Sequence, residues 1–159
     1  MTRSAADACW STVPELRGTH VALEPLSMAH VPALRRALGE GELSRLWYAI
    51  DAGVPRLNIG YTWYQRRVQR TGLNTEAKLL LLRHAFEAMG CIGVGFETSW
   101  FNQASRAAIA RLGARQDGVL RNHRRHADGT PRDTVVFSII DSEWPAVRRH
   151  LQSLLDSHS

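Results

Sequence analysis

A polar, glycine-containing segment at residues 69–75 offers the groups that a phosphate ligand needs. It stands just before a stretch whose apolar residues predict a buried helix. The first N–H groups of a helix have no partner inside the helix and lie at the positive end of its dipole, and a glycine lets a ligand approach the backbone. The segment therefore fits a pyrophosphate site, but an ordinary capped helix with a solvated basic loop explains it equally well. Its residues are Gln69, Arg70, Thr71, Gly72, Leu73, Asn74 and Thr75, with Arg66 and Arg67 upstream.

A second cluster of polar residues occupies residues 102–106, at a predicted junction between a strand and a helix. Asn102 and Ser105 carry groups that could contact a ligand or move a proton. Asparagine and serine are also the ordinary caps of helix N-termini, so each residue taken alone is better explained as structural. Whether the two clusters have a functional role depends on the strands and helices that position them.

Hydrophobic periodicity predicts an alternation of strands and helices along the chain. Residues 42–56 suit a short helix that Gly53 and Pro55 end quickly. The order of elements predicts one α/β (α+β) domain over residues 1–159. The predicted strands are 16–26, 57–63, 91–98 and a hairpin of 118–126 with 132–140 around Asp128 and Gly129; the predicted helices are 28–38, 76–89, 103–112 and 142–155.

Composition narrows the class of protein. The 159 residues are 44% hydrophobic, enough for one core, and the two cysteines, Cys9 and Cys91, match no zinc or redox spacing, so we expect free thiols and no metal. We find neither a run of about 20 apolar residues nor the apolar core of a signal peptide, which predicts a cytoplasmic protein without a membrane partner. The net charge of +5 is modest, and we expect no nucleic-acid partner.

The two polar clusters, with their spacing, resemble the GNAT acetyltransferases, in particular the branch similar to ribosomal-protein N-terminal acetyltransferases of the RimJ and RimL type. The likeness covers residues 57–150, and residues 16–38 look like the first strand and helix of that family. It implies a mixed central sheet flanked by helices and acetyl-CoA as co-substrate. The segments that carry it are residues 59–63, 69–78, 81–86, 102–109, 112–114, 118–121 and 133–138.

The resemblance also implies roles for individual residues. The loop would hold the CoA pyrophosphate through backbone amides, and the pantetheine arm would insert where the strand at 59–63 splays from the strand at about 92–98. The acetyl carbonyl would bond to backbone near Tyr61 or Thr62, Asn102 would contact the cofactor arm, and Ser105 would protonate the departing thiolate. The implied cofactor-binding residues are Tyr61, Thr62, Gln69, Arg70, Thr71, Gly72, Leu73, Asn74, Thr75, Asn102 and Ser105, and the implied catalytic residue is Ser105.

Such an enzyme needs no covalent step, because a neutral amine attacks the thioester directly. The acceptor would be a primary amine, on a protein N-terminus or a small molecule. The base is harder to name: Glu24 and His20 are candidates, but both are better explained as surface groups.

The chain departs from the family pattern in its N-terminal half. Family members have two further strands before the one at Ile59, and the stretch from Trp47 to Leu57 looks too short for a hairpin. A shortened sheet would leave the Ile59 strand as an open edge, which predicts a homodimer. The alternatives are an internal deletion that still folds, or a catalytically silent remnant that binds CoA. A second departure is bulky Trp100 and Phe101, which we expect to fill the core; an interface or acyl pocket is the alternative.

Overall fold

A computed structural model describes residue 10 and residues 12–25, 27–30, 47–51, 53–60 and 72–157. In chain order the strands are β1 (Leu16–Arg17), β2 (Ala22–Leu23), β3 (Trp47–Asp51), β4 (Arg56–Ile59), β5 (Gly93–Ser99), β6 (Arg115–Arg125) and β7 (Pro131–Ile140). The helices are α1 (Gly72–Arg83), which continues into a π-helical turn at His84–Ala88, α2 (Gln103–Arg111) and α3 (Trp144–Asp156), and a 3-10 turn lies at Met28–His30. No helix among these residues is long and apolar enough to cross a membrane.

Five strands form one mixed sheet in the order β3, β4, β5, β7, β6. β4 and β5 are parallel, and every other neighbouring pair is antiparallel. Side chains alternate between the two faces of a strand, and the buried apolar residues of β4, β5 and β7 fall on one face. That face packs against apolar residues of the three helices, so the sheet and the helices share one core. The predicted mixed α/β sheet flanked by helices is confirmed.

The buried helix begins earlier than its apolar pattern predicted. We expected residues 76–89, whereas α1 starts at Gly72 and its last turn is π-helical. The polar residues Asn74 and Thr75 give no apolar signal, yet they form the first turn. Gly90 has φ +66°, a left-handed conformation that ends a helix at low cost for glycine.

The expectation that no hairpin fits before Leu57 is wrong. β3 and β4 pair as an antiparallel hairpin, with Trp47 opposite Ile59. Its turn is short because the Asp51 carboxylate accepts hydrogen bonds from the N–H groups of Gly53 (2.9 Å) and Val54 (3.2 Å). The short helix predicted over 42–56 is likewise wrong where the structure describes it, since residues 47–51 form a strand.

The hairpin also removes the premise of the homodimer prediction. β4 has β3 on one side and β5 on the other, so the strand containing Ile59 is not an open edge. The remainder of the region in which we expected missing strands, residues 31–46, lies outside the described residues.

The N-terminal strand predicted over 16–26 is two short strands instead. β1 and β2 pair antiparallel around a turn that Gly18 closes by donating its N–H to the carbonyl of Val21 (2.8 Å). Of the helix predicted over 28–38, residues 28–30 form a 3-10 turn and the rest lies outside the described residues.

The C-terminal half matches the sequence prediction closely. β6 and β7 form the expected hairpin, with Gly129 at φ +84° in its turn. α2 and α3 lie within two residues of their predicted bounds, and Pro145 occupies the first turn of α3, where a missing N–H costs nothing. The local sequence signals were strong here because the strand residues, the turn pair Asp128 and Gly129 and the helix caps all predict the same elements.

Candidate active site

The described pairing of the parallel strands β4 and β5 covers only the first part of β5. The strands pair at Arg56 with Gly93, Leu57 with Val94 and Asn58 with Gly95, the last pair among the described residues. β5 continues to Ser99 while it remains paired with β7 on its other side. Among the described residues, residues 96–99 therefore have no partner strand on the β4 side. The predicted splay of the strand at 59–63 from the strand at about 92–98 stays a prediction, because residues 61–63, with Tyr61 and Thr62, lie outside the described residues.

The N-termini of α1 and α2 lie toward the C-terminal ends of β4 and β5. Cys91 donates its N–H to the carbonyl of Ala85 (2.9 Å), and Ile92 donates to Pro55 (2.8 Å), which sets the end of the helical segment beside the start of β4 and β5. A helix that packs along the sheet from there must begin near the far ends of the strands. α2 starts at the same end, because Asn102 donates its N–H to the carbonyl of Ser99 (3.0 Å).

The first turn of α1 suits an anionic ligand. It contains Gly72, Leu73, Asn74 and Thr75 and no acidic residue, and its leading N–H groups have no acceptor within the helix. Asn74 Oδ1 is buried and has no hydrogen-bond partner among the described residues. The amide of Asn74 therefore still has bonding capacity for a ligand or a neighbouring segment. Gln69, Arg70 and Thr71 lie outside the described residues.

Glu76, in the next turn of α1, has a structural role. Its carboxylate accepts hydrogen bonds from the N–H groups of Thr19 (2.6 Å) and His20 (2.7 Å). A Cβ at Gly18 would lie 2.6 Å from the Glu76 carboxyl carbon, so a side chain at position 18 would displace the carboxylate from Thr19 and His20. The turn between β1 and β2 is thus tied to the start of α1.

The two sequence candidates for the base lie in this N-terminal region. His20 is exposed and meets α1 through its backbone. Glu24 is exposed too, and its carboxylate lies 3.8 Å from both Arg17 and His30. The structure does not bring either side chain into contact with Asn102 or Ser105.

Asn102 and Ser105 meet at the start of α2. Asn102 Oδ1 accepts the N–H of Ser105 (3.0 Å), which is a helix cap, the plainer of the two interpretations. Ser105 is half-buried, and its hydroxyl has no hydrogen-bond partner among the described residues. The hydroxyl is therefore available to a ligand lying against the first turn of α2.

Trp100 and Phe101 do not fill the core, contrary to expectation. They form the turn between β5 and α2, where Phe101 is 81% exposed and Trp100 38%. The Arg106 guanidinium stacks 4.5 Å from the centre of the Trp100 ring, a cation–π contact, and donates to the Trp100 carbonyl (3.2 Å). A turn that must reverse direction after β5 leaves no room for these rings beneath the helices.

The face of the sheet opposite the helices carries polar groups that sequence reasoning missed. Here Asn58 lies over Gly95, and the next β5 residue on this face is Glu97. Its carboxylate, 19% exposed, is 2.8 Å from Arg124 Nη2. Glycine at 93 and 95 followed by Glu97 is a period-two pattern, which could have indicated an acidic group beside a bare stretch of backbone. The partner on β6 had no such signal.

Comparisons with known proteins agree with this arrangement. Residues 35–115 match the family model described as an acetyltransferase (GNAT) domain. The chain is 32% identical over 85 residues to the uncharacterised N-acetyltransferase YoaA of Bacillus subtilis (strain 168). The aligned residues make up 54% of this chain and 47% of YoaA. It spans about half the length of the curated relatives it matches.

Solved structures match over larger parts of the chain. A protein of T. thermophilus assigned as an acetyltransferase aligns with a TM-score of 0.77 and 32% identity, over 91% of this chain and 98% of that one. RimJ of Mycobacterium smegmatis, solved in complex with CoA-disulfide, aligns with a TM-score of 0.56 and 27% identity, over 64% of this chain and 48% of that one.

Proposed function

Because the chain belongs to the GNAT acetyltransferase family, we propose that it transfers the acetyl group of acetyl-CoA to a primary amine. The observation that carries the proposal is the edge of β5 at residues 96–99, which has no partner strand on the β4 side among the described residues, beside two helix N-termini. An extended ligand could pair with that edge as an additional strand. The helix ends beside it favour the negative charge of a diphosphate.

Different residues of the chain would hold different parts of the cofactor. The amides of Gly72, Leu73, Asn74 and Thr75 would bind the diphosphate, and the unpaired edge of residues 96–99 would bind the pantetheine arm. Gln69, Arg70 and Thr71 complete the phosphate loop in this proposal, Tyr61 and Thr62 hold the acetyl carbonyl, and Asn102 contacts the arm. Acetyl-CoA supplies an activated acetyl group, so the protein needs no nucleophile of its own.

The chemistry then depends on proximity and proton transfer. A neutral amine attacks the acetyl carbonyl, a C–N bond forms and the C–S bond breaks. The departing thiolate takes a proton from the Ser105 hydroxyl, and the proton that the nitrogen loses as the amide forms restores that hydroxyl, directly or through water. The half-buried position of Ser105 at the start of α2, with a hydroxyl that bonds to no described residue, supports this role.

We place the acceptor in the class of primary amines, either a protein N-terminus or a small molecule. The likeness to RimJ of M. smegmatis and to a B. subtilis protein named as a ribosomal N-acetyltransferase supports the first. In this proposal one domain catalyses the acetyl transfer, in the cytoplasm. A homodimer is not part of this proposal, because its structural premise has been removed.

Isothermal titration with acetyl-CoA tests the cofactor site. We expect the wild type to bind and a Gly72→Asp variant to lose binding, since a carboxylate would occupy the place of the diphosphate. The control is Ala146→Asp, which puts the same charge into the first turn of α3 at an exposed position. Absence of binding by the wild type would contradict the proposal.

Mass spectrometry of an amine acceptor tests the reaction itself. A short peptide with a free N-terminal α-amine should gain one acetyl group in the presence of enzyme and acetyl-CoA, and an N-acetylated copy of the peptide should not. Binding of acetyl-CoA without transfer to peptides or polyamines would favour the catalytically silent alternative.

A further inference from the structure

The turn between β1 and β2 is bonded to α1 one helical turn beyond the end at which we place the diphosphate. Glu76 is 7% exposed, and its carboxylate accepts the N–H groups of Thr19 (2.6 Å) and His20 (2.7 Å). Each donor uses a different carboxylate oxygen, so the carboxylate cannot rotate without losing a bond. These two hydrogen bonds, the Glu76 clamp, therefore fix the turn and the helix in one relative orientation.

The turn itself is shaped for this contact. A Cβ at Gly18 would lie 2.6 Å from the Glu76 carboxyl carbon, and Gly18 donates its N–H to the Val21 carbonyl (2.8 Å), which closes the turn. Leu16 and Leu23 face each other across the two short strands and pack against the main core. An isolated pair of strands is marginally stable at best, so the position of this hairpin depends on its contacts with α1 and the core.

Helix geometry carries the effect of the Glu76 clamp to the binding turn. Gly72 and Glu76 are four residues apart, so they lie on the same face of α1 and about 6 Å apart along its axis. The unpaired N–H groups of the first turn point along that axis, away from the body of the helix. A tilt of α1 against the β1–β2 turn would therefore redirect the amides that the proposed function assigns to the diphosphate.

We propose that Glu76 is a positioning residue of the cofactor site, which holds the amides of the first turn of α1 in the orientation that binds the diphosphate; this rests on the proposed function. Both of its oxygens bond to the β1–β2 turn, so Glu76 does not itself bind the ligand. Because the clamp favours the binding orientation, the bound ligand favours the clamp by the same factor. Binding of acetyl-CoA and docking of the β1–β2 turn thus stabilise each other.

Electrostatics and positioning predict opposite effects when the Glu76 charge is removed. A carboxylate one helical turn from a diphosphate repels it, so an effect of charge alone would make Glu76→Gln bind acetyl-CoA more tightly. Loss of the clamp would make binding weaker, because one N–H of the turn would face the amide NH2 of glutamine instead of an oxygen. A residue that only adds stability would leave the affinity of the folded protein unchanged.

The same helical segment supplies a matched control. Glu87, in its π-helical last turn, also accepts two hydrogen bonds, from Trp144 Nε1 (3.0 Å) and Arg148 Nη1 (3.0 Å). It lies at the opposite end of the segment from the proposed diphosphate site. Glu87→Gln therefore removes the same charge and disturbs a similar pair of bonds away from the ligand.

Isothermal titration with acetyl-CoA and amide hydrogen exchange of the folded proteins test the proposal. We expect Glu76→Gln to raise the Kd about 10-fold or more, within the usual range of coupling between sites, and Glu87→Gln to match the wild type. In the wild type, acetyl-CoA should slow exchange of the Thr19 and His20 amides. In Glu76→Gln this slowing should be lost.

A second variant tests the Glu76 clamp from the side of the turn. Gly18→Ala leaves the sequence of α1 unchanged but displaces the carboxylate, so it should raise the Kd as Glu76→Gln does. Because both changes break one interaction, their effects on log Kd should not add in the double variant. Gly18→Ala decides by the same measurements if Glu76→Gln does not fold.

A folded Glu76→Gln variant that binds acetyl-CoA as tightly as Glu87→Gln, or more tightly, would overturn this proposal while the acetyltransferase function stands. So would wild-type Thr19 and His20 amides that acetyl-CoA does not protect. A wild type that does not bind acetyl-CoA would overturn both the positioning role and the proposed function.

Discussion

At the scale of single residues, Lys78 is the chain's one lysine and is buried in α1. Burial lowers its pKa from the ordinary value to about 8. Between about pH 8 and 10.5 the unfolded chain therefore binds more protons at this position than the folded chain, and the stability of the fold rises with pH. Below about pH 8 Lys78 is protonated in both the folded and the unfolded chain. The folded state then bears the full free-energy cost of burying the charge.

We predict that Lys78→Met removes this dependence. The difference in unfolding free energy between Lys78→Met and the wild type should be largest near pH 7, in favour of the variant, and should narrow as pH rises from about 8. Urea titrations of both proteins at several pH values measure it. A difference that stays constant across the range would mean that Lys78 is not buried with a depressed pKa.

Ser105 carries a second prediction at this scale. Ser105→Ala keeps the backbone N–H that Asn102 caps and removes only the hydroxyl, so acetyl-CoA affinity and stability should stay near the wild-type values. The kcat for acetyl transfer should fall about tenfold or more, because the thiolate loses its proton donor. Ser153→Ala, at an exposed position on α3, is the control. An unchanged kcat would remove Ser105 from the mechanism.

At the scale of elements, the start of α1 depends on its bond to the turn between β1 and β2. Glu76→Ala would leave the N–H groups of Thr19 and His20 without their acceptor, and we expect it to cost about 1–3 kcal/mol of stability. Glu15→Ala removes an exposed ion pair with Arg17 and should cost no more than about 1 kcal/mol. Equal effects of the two changes in denaturant titrations would contradict the role of Glu76.

The elements also explain what the sequence could and could not predict. The hairpin of β6 and β7 was predicted because Asp128 and Gly129 mark a turn and the second arm is rich in β-branched and aromatic residues. The hairpin of β3 and β4 was missed because its turn is stabilised by one side chain, Asp51, and a four-residue second arm gives little periodicity.

At the scale of the whole molecule, the described fold brings sequence-distant groups to one end of a sheet. The first turn of α1, the start of α2 and the edge of β5 at residues 96–99 come together there, although Gly72 and Ser105 are far apart in the chain. Family resemblance supplied the expectation of a cofactor at this place. The fold provides an independent reason, since the two helix ends lie beside a strand edge that has no partner on the β4 side among the described residues.

The central claim is the proposal that acetyl-CoA lies along β5 at residues 96–99. Amide hydrogen exchange followed with and without acetyl-CoA tests it most directly. We predict that binding slows exchange in the first turn of α1 and at amides of residues 96–99 that face away from β7, and leaves residues 93–95 unchanged, because these are already paired with β4. Protection confined to other parts of the chain, or none at saturating acetyl-CoA, would contradict the account.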